Sequence, residues 1–395
     1  MKPCAVTHFT AVSCLGAGLA ATRDALHAQR SGLAPCRFDT VDFGTFAGEV
    51  EGVDAVTLPA ELAPYDCRNN RLALLGLQQD GLIDAIGRCV QRHGAGRIGV
   101  FLGTSTSGIL QTELAYRRRD ASGALPADFH YGETHNSFAV ADFVRRFLRL
   151  AGPAAAVSCA CASSAKVFAQ AVRMLDAGLI DAALVGGVDS LCLTTLYGFH
   201  SLQLTSSQPC RPFDARRDGI SIGEAAAFAL LERPAAGAGT GLALLGTGES
   251  SDAHHMSSPH PEGLGARLAM QAALHEAGLA PADIDYLNLH GTGTPGNDRA
   301  ETKAVNAVFA PGTFCSSTKA STGHTLGAAG ALEAVISLIA LQDGFAPAGL
   351  NVAQLEPELQ LEYVRANAAR PLTHVLSNSF GFGGANCSLI FGRRH

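Results

Sequence analysis

The stretch Ala154-Ala-Ala-Val-Ser-Cys159-Ala-Cys161-Ala-Ser-Ser-Ala-Lys-Val-Phe168 decides the fold. Ala154 to Ala160 is small and apolar, as a buried strand is. Ala165, Phe168, Val172, Leu175 and Leu179 then recur at helical spacing. Gly178 stands where a helix C-terminus favours a left-handed residue, and Ala182 to Val188 is a second apolar run. The spacing predicts a strand–helix–strand unit with Cys161 at the joint. A thiol there meets the free N–H groups of a helix N-terminus, whose partial positive charge favours thiolate and lowers its pKa. A small buried cysteine without chemistry is the competing reading of this stretch alone.

The rest of the chain sets the frame. Its 395 residues allow two domains or one large duplicated one. With 47% hydrophobic and 16% charged residues much of it must be buried, and 44 glycines without a tryptophan suit tightly packed α/β architecture. A net charge of −6 argues against a nucleic-acid partner. The N-terminal apolar run is too short for a signal peptide, and no window approaches 18 uninterrupted apolar residues, so no membrane span is expected. The eleven cysteines are scattered and form no C-x-x-C motif. That pattern points to a reducing cytoplasm and away from disulfides or structural zinc; no metal site is expected.

Strands are predicted at Ala5–Val12, Ile98–Leu102, Ala226–Leu231, Leu242–Gly248, Tyr286–His290, Thr313–Ser317, His374–Ser379 and Asn386–Phe391. One long helix is predicted from Asn70 to Arg92, and another from Gly327 to Gln342. A linker of small residues, Arg233 to Gly241, divides the chain into halves 1–234 and 242–395. Each half opens with a strand and closes with two, the pattern of a duplicated α/β unit. Four loops lie at strand ends: the one holding Cys161, His290-Gly-Thr-Gly-Thr-Pro295, Ser316-Ser-Thr-Lys319-Ala-Ser-Thr-Gly-His324, and Ser377-Asn-Ser-Phe380-Gly-Phe382-Gly-Gly-Ala-Asn386. Sites in open α/β sheets gather at the carboxyl ends of strands. Cysteine, two histidines and a lysine converging there suit thiol nucleophilic catalysis.

These motifs resemble those of the β-ketoacyl-acyl-carrier-protein synthases of classes I and II, in the thiolase superfamily. Cys210-Arg-Pro-Phe-Asp214, Arg217-Asp-Gly219 and Gly223-Glu224 extend the likeness through the central loop, so that it covers almost the whole chain. The resemblance implies a thiolase-like duplicated α/β fold, layered αβαβα, with two mixed five-stranded sheets. It implies that Cys161 accepts the acyl group, and that His290 and His324, neutral, donate to the malonyl thioester oxygen. It makes the backbone N–H groups of Cys161 and Phe382 an oxyanion hole, with Phe380 and Phe382 in the loop beside it. Lys319 and Glu333 resemble a supporting ion pair. Thr292 and Thr294 match threonines that touch the pantetheine arm, and Asp298 and Glu301 match acidic residues bracing that loop. The implied partners are acyl carrier protein and a like or related subunit, in a homodimer or heterodimer. No cofactor is implied beyond the carrier protein's phosphopantetheine arm. The Gly103-Thr-Ser-Thr-Ser-Gly-Ile109 loop looks like that of synthases building aryl polyenes or similar conjugated chains, and places Thr106 near the acyl pocket.

Three rivals share the fold. A chain-length-factor-like partner subunit lacks the reactive cysteine that this chain has. A degradative thiolase needs a second cysteine in a Cys-x-Gly setting, whereas Cys387 precedes Ser-Leu in an apolar strand. The acetyl-CoA-priming class has asparagine where His324 stands. The runs Arg117–Arg119 and Arg145–Arg146 read as solvated helix faces. Arg68 and Arg71, on one helix face, are candidates to meet an acidic carrier protein.

Overall fold

The computed structural model describes residues 2–233 and 241–393. The first half is built on β1 (Cys4–Ser13), β2 (Ile98–Gly103), β3 (Ala154–Val157), β4 (Ala182–Asp189) and β5 (Ala225–Glu232). The second is built on β6 (Leu242–Ser251), β7 (Tyr286–Asn288), β8 (Phe314–Ser316), β9 (His374–Gly381) and β10 (Ala385–Arg393). In space the orders are β1-β5-β4-β2-β3 and β6-β10-β9-β7-β8. The first, fifth, fourth, second and third strands of each half thus follow one another identically. The ladders match too, antiparallel across the first two joins and parallel across the last two. Each sheet is therefore mixed, and the chain is a duplicated unit.

The two five-strand sets meet edge to edge. Cys4 pairs with Leu244 and Ala5 with Ala243, so the sheets run on as one. Gly16–Ala17 and Glu362–Tyr363 bring the strands of this sheet to twelve among the described residues. Most of the linker predicted at 233–241 lies outside the described residues.

The helices that position the site are α1 (Arg68–Leu77), α2 (Leu82–His93), α3 (Ala139–Phe147), α4 (Ser163–Asp176), α5 (Leu264–Ala277), α6 (Pro295–Val308) and α7 (Ala329–Asp343). Helices α1, α2 and α3 cover the outer face of the first half, and α5 with α6 that of the second. Helices α4 and α7 lie between the sheets, which completes the αβαβα layering. They cross closely, because a Cβ on Gly330 would sit 2.6 Å from the Ala165 nitrogen. The segment Leu326–Asp343 is long and apolar enough to cross a membrane, yet 89% of it is buried inside the molecule. A helix packed on all sides is apolar all round.

Several elements end differently from their sequence pattern. The expected helix 70–92 is two helices, broken at Asp80 and Gly81, which have φ of 51° and 70°. Asp80 is pulled out of the helix by tertiary contacts: its carboxylate accepts from Thr10 Oγ1 at 2.6 Å and from the Leu19 N–H at 2.9 Å. Helix α4 stops at Asp176, so Leu179, which the periodicity counts as core, is 55% exposed.

Candidate active site

Cys161 sits just before α4, whose N-cap is Ala162. The turn that presents it is held by local bonds. The Cys159 N–H donates to Ser163 Oγ at 2.8 Å, and Ser163 Oγ donates to the Ala160 carbonyl at 2.5 Å. Ala160 takes φ of 49°, a left-handed conformation that only tight surroundings hold in place. Strand β2 must approach closely: a Cβ on Gly103 would lie 2.3 Å from the Ser164 nitrogen. The end of β9 crosses the same turn, with the Gly381 Cβ position 3.1 Å from the Cys161 nitrogen.

The two histidines arrive from the second half. His290 follows β7 and His324 follows β8 and the short helix Lys319–Thr322. One ligand-capable atom from each of Cys161, His290 and His324 lies within 4.8 Å of the other two. The imidazole rings stand at 84° with centroids 5.3 Å apart. Phe380 packs edge-on to His290 at 5.8 Å. Thr292 and Thr294 join their hydroxyls at 2.9 Å. These side chains and Phe382, all but the positions behind His290, line one cavity of about 560 Å³.

The polar shell fixes the tautomers. Lys319 Nζ, a donor only, lies 3.3 Å from His290 Nδ1 and also donates to the His290 carbonyl. The Leu326 N–H donates to His324 Nδ1 at 3.3 Å. Both Nδ1 atoms therefore accept, and in each neutral ring Nε2 carries the proton. Burial and the Lys319 charge hold both imidazoles well below the usual histidine range, and so neutral. Lys319 is ion-paired to buried Glu333, whose pKa burial raises to about 7 against the pull of that lysine. Glu301 accepts from the His290 N–H at 2.8 Å and the Gly291 N–H at 2.7 Å. Asp298 accepts from Thr292 N–H at 3.0 Å and Gly293 N–H at 3.2 Å. The two acids thus brace the His290 loop.

The thiol differs from its sequence expectation. Burial pushes Cys161 up to about 12; Lys319 and the Phe382 N–H pull it down, and Asp189 pushes it up. The helix N-terminus does not prevail, because Cys161 is 6% exposed and desolvation of the anion is larger. Cys387, by contrast, is fully buried in the apolar core, as its setting predicts.

Thr106 does not line this cavity. It is 1% exposed, and its hydroxyl donates to Asp189 Oδ1 at 2.9 Å instead of facing an acyl chain. Arg68 is not free to meet a carrier protein either. Its side chain is buried, with its guanidinium donating to Glu224 at 3.0 and 2.6 Å and to Asp54 at 2.9 Å. Arg71 is paired with Asp66 at 2.6 Å. The acidic partners of Arg68 were invisible to helix periodicity, because Glu224 is 156 residues away and Glu49 and Asp54 precede the helix. Sequence reading also missed Asp189 and Asn378. Asn378 donates to Glu301 at 3.1 Å, and its place among polar residues at the end of β9 was the available signal.

Three donors within 4.8 Å could in principle ligate a cation, but the Lys319 ammonium behind His290 opposes one there. A second trio, Cys89, His93 and Glu232, has its carboxylate already taken by Arg92 and Thr7.

A thiol on a helix turn and two neutral histidines from the second half of a duplicated α/β chain define a thiolase-fold ketosynthase. The chain belongs to the β-ketoacyl synthase family: the N-terminal domain of that family matches residues 71–236 and the C-terminal domain residues 243–353. It is 33% identical to 3-oxoacyl-[acyl-carrier-protein] synthase 2 of Vibrio cholerae, over 98% of both chains. Among solved structures it is similar to the ketosynthase ApeO of Xenorhabdus doucetiae, solved in complex with its chain length factor ApeC. That match has 37% identity, a TM-score of 0.91, and covers 99% of this chain and 98% of that one. A β-ketoacyl synthase from Burkholderia phymatum superposes with a TM-score of 0.89 at 30% identity, with both chains fully covered.

Proposed function

We propose that this chain catalyses decarboxylative Claisen condensation between an acyl group on Cys161 and malonyl-acyl carrier protein. The observation that carries this reading is the meeting of the Cys161 thiol with two Nε2-protonated, neutral imidazoles on one cavity wall. In the first step Cys161 sulfur attacks the incoming thioester. The thiol loses one proton and the departing pantetheine sulfur gains one, so the exchange is proton-neutral. The N–H groups of Cys161 and Phe382 hold the oxyanion, as donors aimed at developing charge do.

In the second step malonyl thioester enters past Thr292 and Thr294. Carbon dioxide leaves, and its bonding electrons form an enolate whose oxygen accepts from His290 and His324 Nε2–H. Imidazolium at these positions would surrender its proton to the enolate; the depressed pKa of each ring prevents that. The enolate carbon attacks the Cys161 thioester carbonyl, and collapse releases the β-ketoacyl product and the thiolate. Loss of carbon dioxide itself generates the nucleophile, so no cofactor is needed beyond the phosphopantetheine arm. Lys319 and Glu333 order His290 and do not react.

The working protein is a dimer, in the cytoplasm, with a like subunit or a chain-length-factor-like one. Its cysteine and histidines make it the catalytic member of such a pair. Likeness to ApeO, rather than Thr106, supports an aryl-polyene or similar conjugated product. The test is intact mass of the protein after incubation with a panel of acyl-carrier proteins, followed by labelled carbon dioxide release from malonyl-carrier protein. An acyl adduct on Cys161 and primer-dependent release are expected. No adduct with any acyl group would overturn the reading.

A further inference from the structure

The carboxylate that ends β4 has no part in this scheme. Asp189 is fully buried, and the groups that meet it are hydroxyls and backbone N–H. Its Oδ1 accepts from Thr104 Oγ1 at 2.7 Å, Thr106 N–H at 2.9 Å and Thr106 Oγ1 at 2.9 Å. The Ser105 N–H reaches both oxygens, at 2.8 and 3.0 Å, and the Gly327 N–H donates to Oδ2 at 2.5 Å. Loops from opposite halves of the chain therefore end on one anion.

Each loop leads to a reacting group in one further step. Ser105 Oγ donates at 3.2 Å to the carbonyl of Ala160, the turn residue before Cys161. Gly327 follows Leu326, whose N–H holds His324 Nδ1. Ser107, Ala160 and Leu326 all take positive φ, at 45°, 49° and 53°. Such conformations persist in non-glycine residues only where their surroundings over-determine them. Gly327 has no room for a side chain, since its Cβ would stand 2.6 Å from Ser105 Oγ and 2.7 Å from Asp189 Oδ2.

We propose that Asp189 is a positioning residue that fixes the Cys161 turn and the His324 ring to one another, so that acyl acceptance and decarboxylation share one buried anchor. This rests on the condensing role assigned above. The anchor's charge also acts at the thiol. There Asp189 and Glu333 oppose Lys319 and the Phe382 N–H, while His290 and His324 are neutral. Removing that charge has a signature that lost packing lacks.

The experiment compares the parent, Asp189→Asn and Gly327→Ala. It reads the pH profile of Cys161 alkylation by iodoacetamide, acyl loading by mass, and kcat and KM for carbon dioxide release from malonyl-carrier protein. Asp189→Asn should move the alkylation profile to lower pH and cut kcat for release by about tenfold with KM unchanged, a loss made in the transition state alone. Gly327→Ala pushes the His324 loop off the carboxylate and keeps the charge, so release should fall while the alkylation profile stays. The proposal is overturned if Asp189→Asn keeps the parent's alkylation profile and release rate, or if both variants lower only Tm. Should Asp189→Asn not fold, unchanged release by Gly327→Ala overturns it alone. A parent that takes no acyl group would overturn the condensing role first, and this proposal with it.

Discussion

At the scale of single residues, two thiols two positions apart have different fates. Cys161 faces the cavity and the histidines, whereas Cys159 ends the strand side of the turn with its N–H tied to Ser163. Cys161→Ala should abolish acyl-enzyme formation, and Cys159→Ala should leave it; peptide mapping of the acyl adduct decides, and label on Cys159 would reverse the assignment. His290→Ala and His324→Ala should each slow malonyl decarboxylation by roughly two to three orders of magnitude, the cost of one oxyanion donor elsewhere. Labelled carbon dioxide released at the parent's rate by both variants would refute their roles. The neutral rings also leave a trace in stability. A buried histidine with a depressed pKa refuses a proton that the unfolded chain takes up below about pH 6.5. Stability must therefore fall as pH drops below that value. His324→Ala removes one such group, so its Tm should fall less between neutral and mildly acid pH than the parent's. Parallel Tm curves would show that His324 is not held neutral.

At the scale of elements, the loop after β7 is braced by acids that cannot be replaced by water. Glu301 takes two backbone N–H groups and is 1% exposed. Glu301→Ala would strand both donors, at a cost of about 1–3 kcal/mol each, and thermal unfolding should show it. A Tm within error of the parent's would mean that the loop holds itself. The glycines around Phe382 make a second kind of element. Gly383 and Gly384 have φ of 80° and 78°, and the Phe382 ring leans on Phe199 at 5.6 Å. Phe382→Ala should loosen the order in which acyl loading precedes malonyl entry, seen as decarboxylation without primer. If that background stays at the parent's level, the ring is no gate.

These elements show what a sequence discloses. The turn with Cys161 was legible because a small apolar strand pattern passes into helical spacing there, and the loops with His290 and His324 because each joins a strand pattern to a glycine-bearing loop within a dozen residues. The split between α1 and α2 was not, since the reason is Thr10 and Leu19 reaching Asp80 from 70 and 61 residues away. Thr106 stands outside this chain's cavity for the same cause: its hydroxyl answers to Asp189, 83 residues on. The thiol's pKa was misjudged because a helix terminus is visible in sequence and burial depth is not.

At the scale of the whole molecule, the site is divided between the repeats: the first half brings Cys161 and the second brings His290 and His324. Thr106 now bears on this scale as well. Thr106→Phe would drive a ring into the Asp189 cluster, where overpacking costs about 1–3 kcal/mol. It should lower Tm and slow elongation of short and long primers alike. Selective loss of the longest primers, with Tm unchanged, would instead restore Thr106 to a pocket wall.

The seam between Cys4–Ala5 and Ala243–Leu244 has a consequence for how the chain is made. Gly16–Ala17 pairs with the end of strand β1 at once, yet the strand's long neighbours in the sheet are β5 and β6, which are made much later and begin at Ala225 and Leu242. While the ribosome works through the intervening residues, most of both edges of β1 stay open, and open edges are where chains pair wrongly. Contacts this distant in sequence also make folding slow. Nascent chains stalled before Ala225 should therefore call on chaperones far more than chains stalled past Ser251.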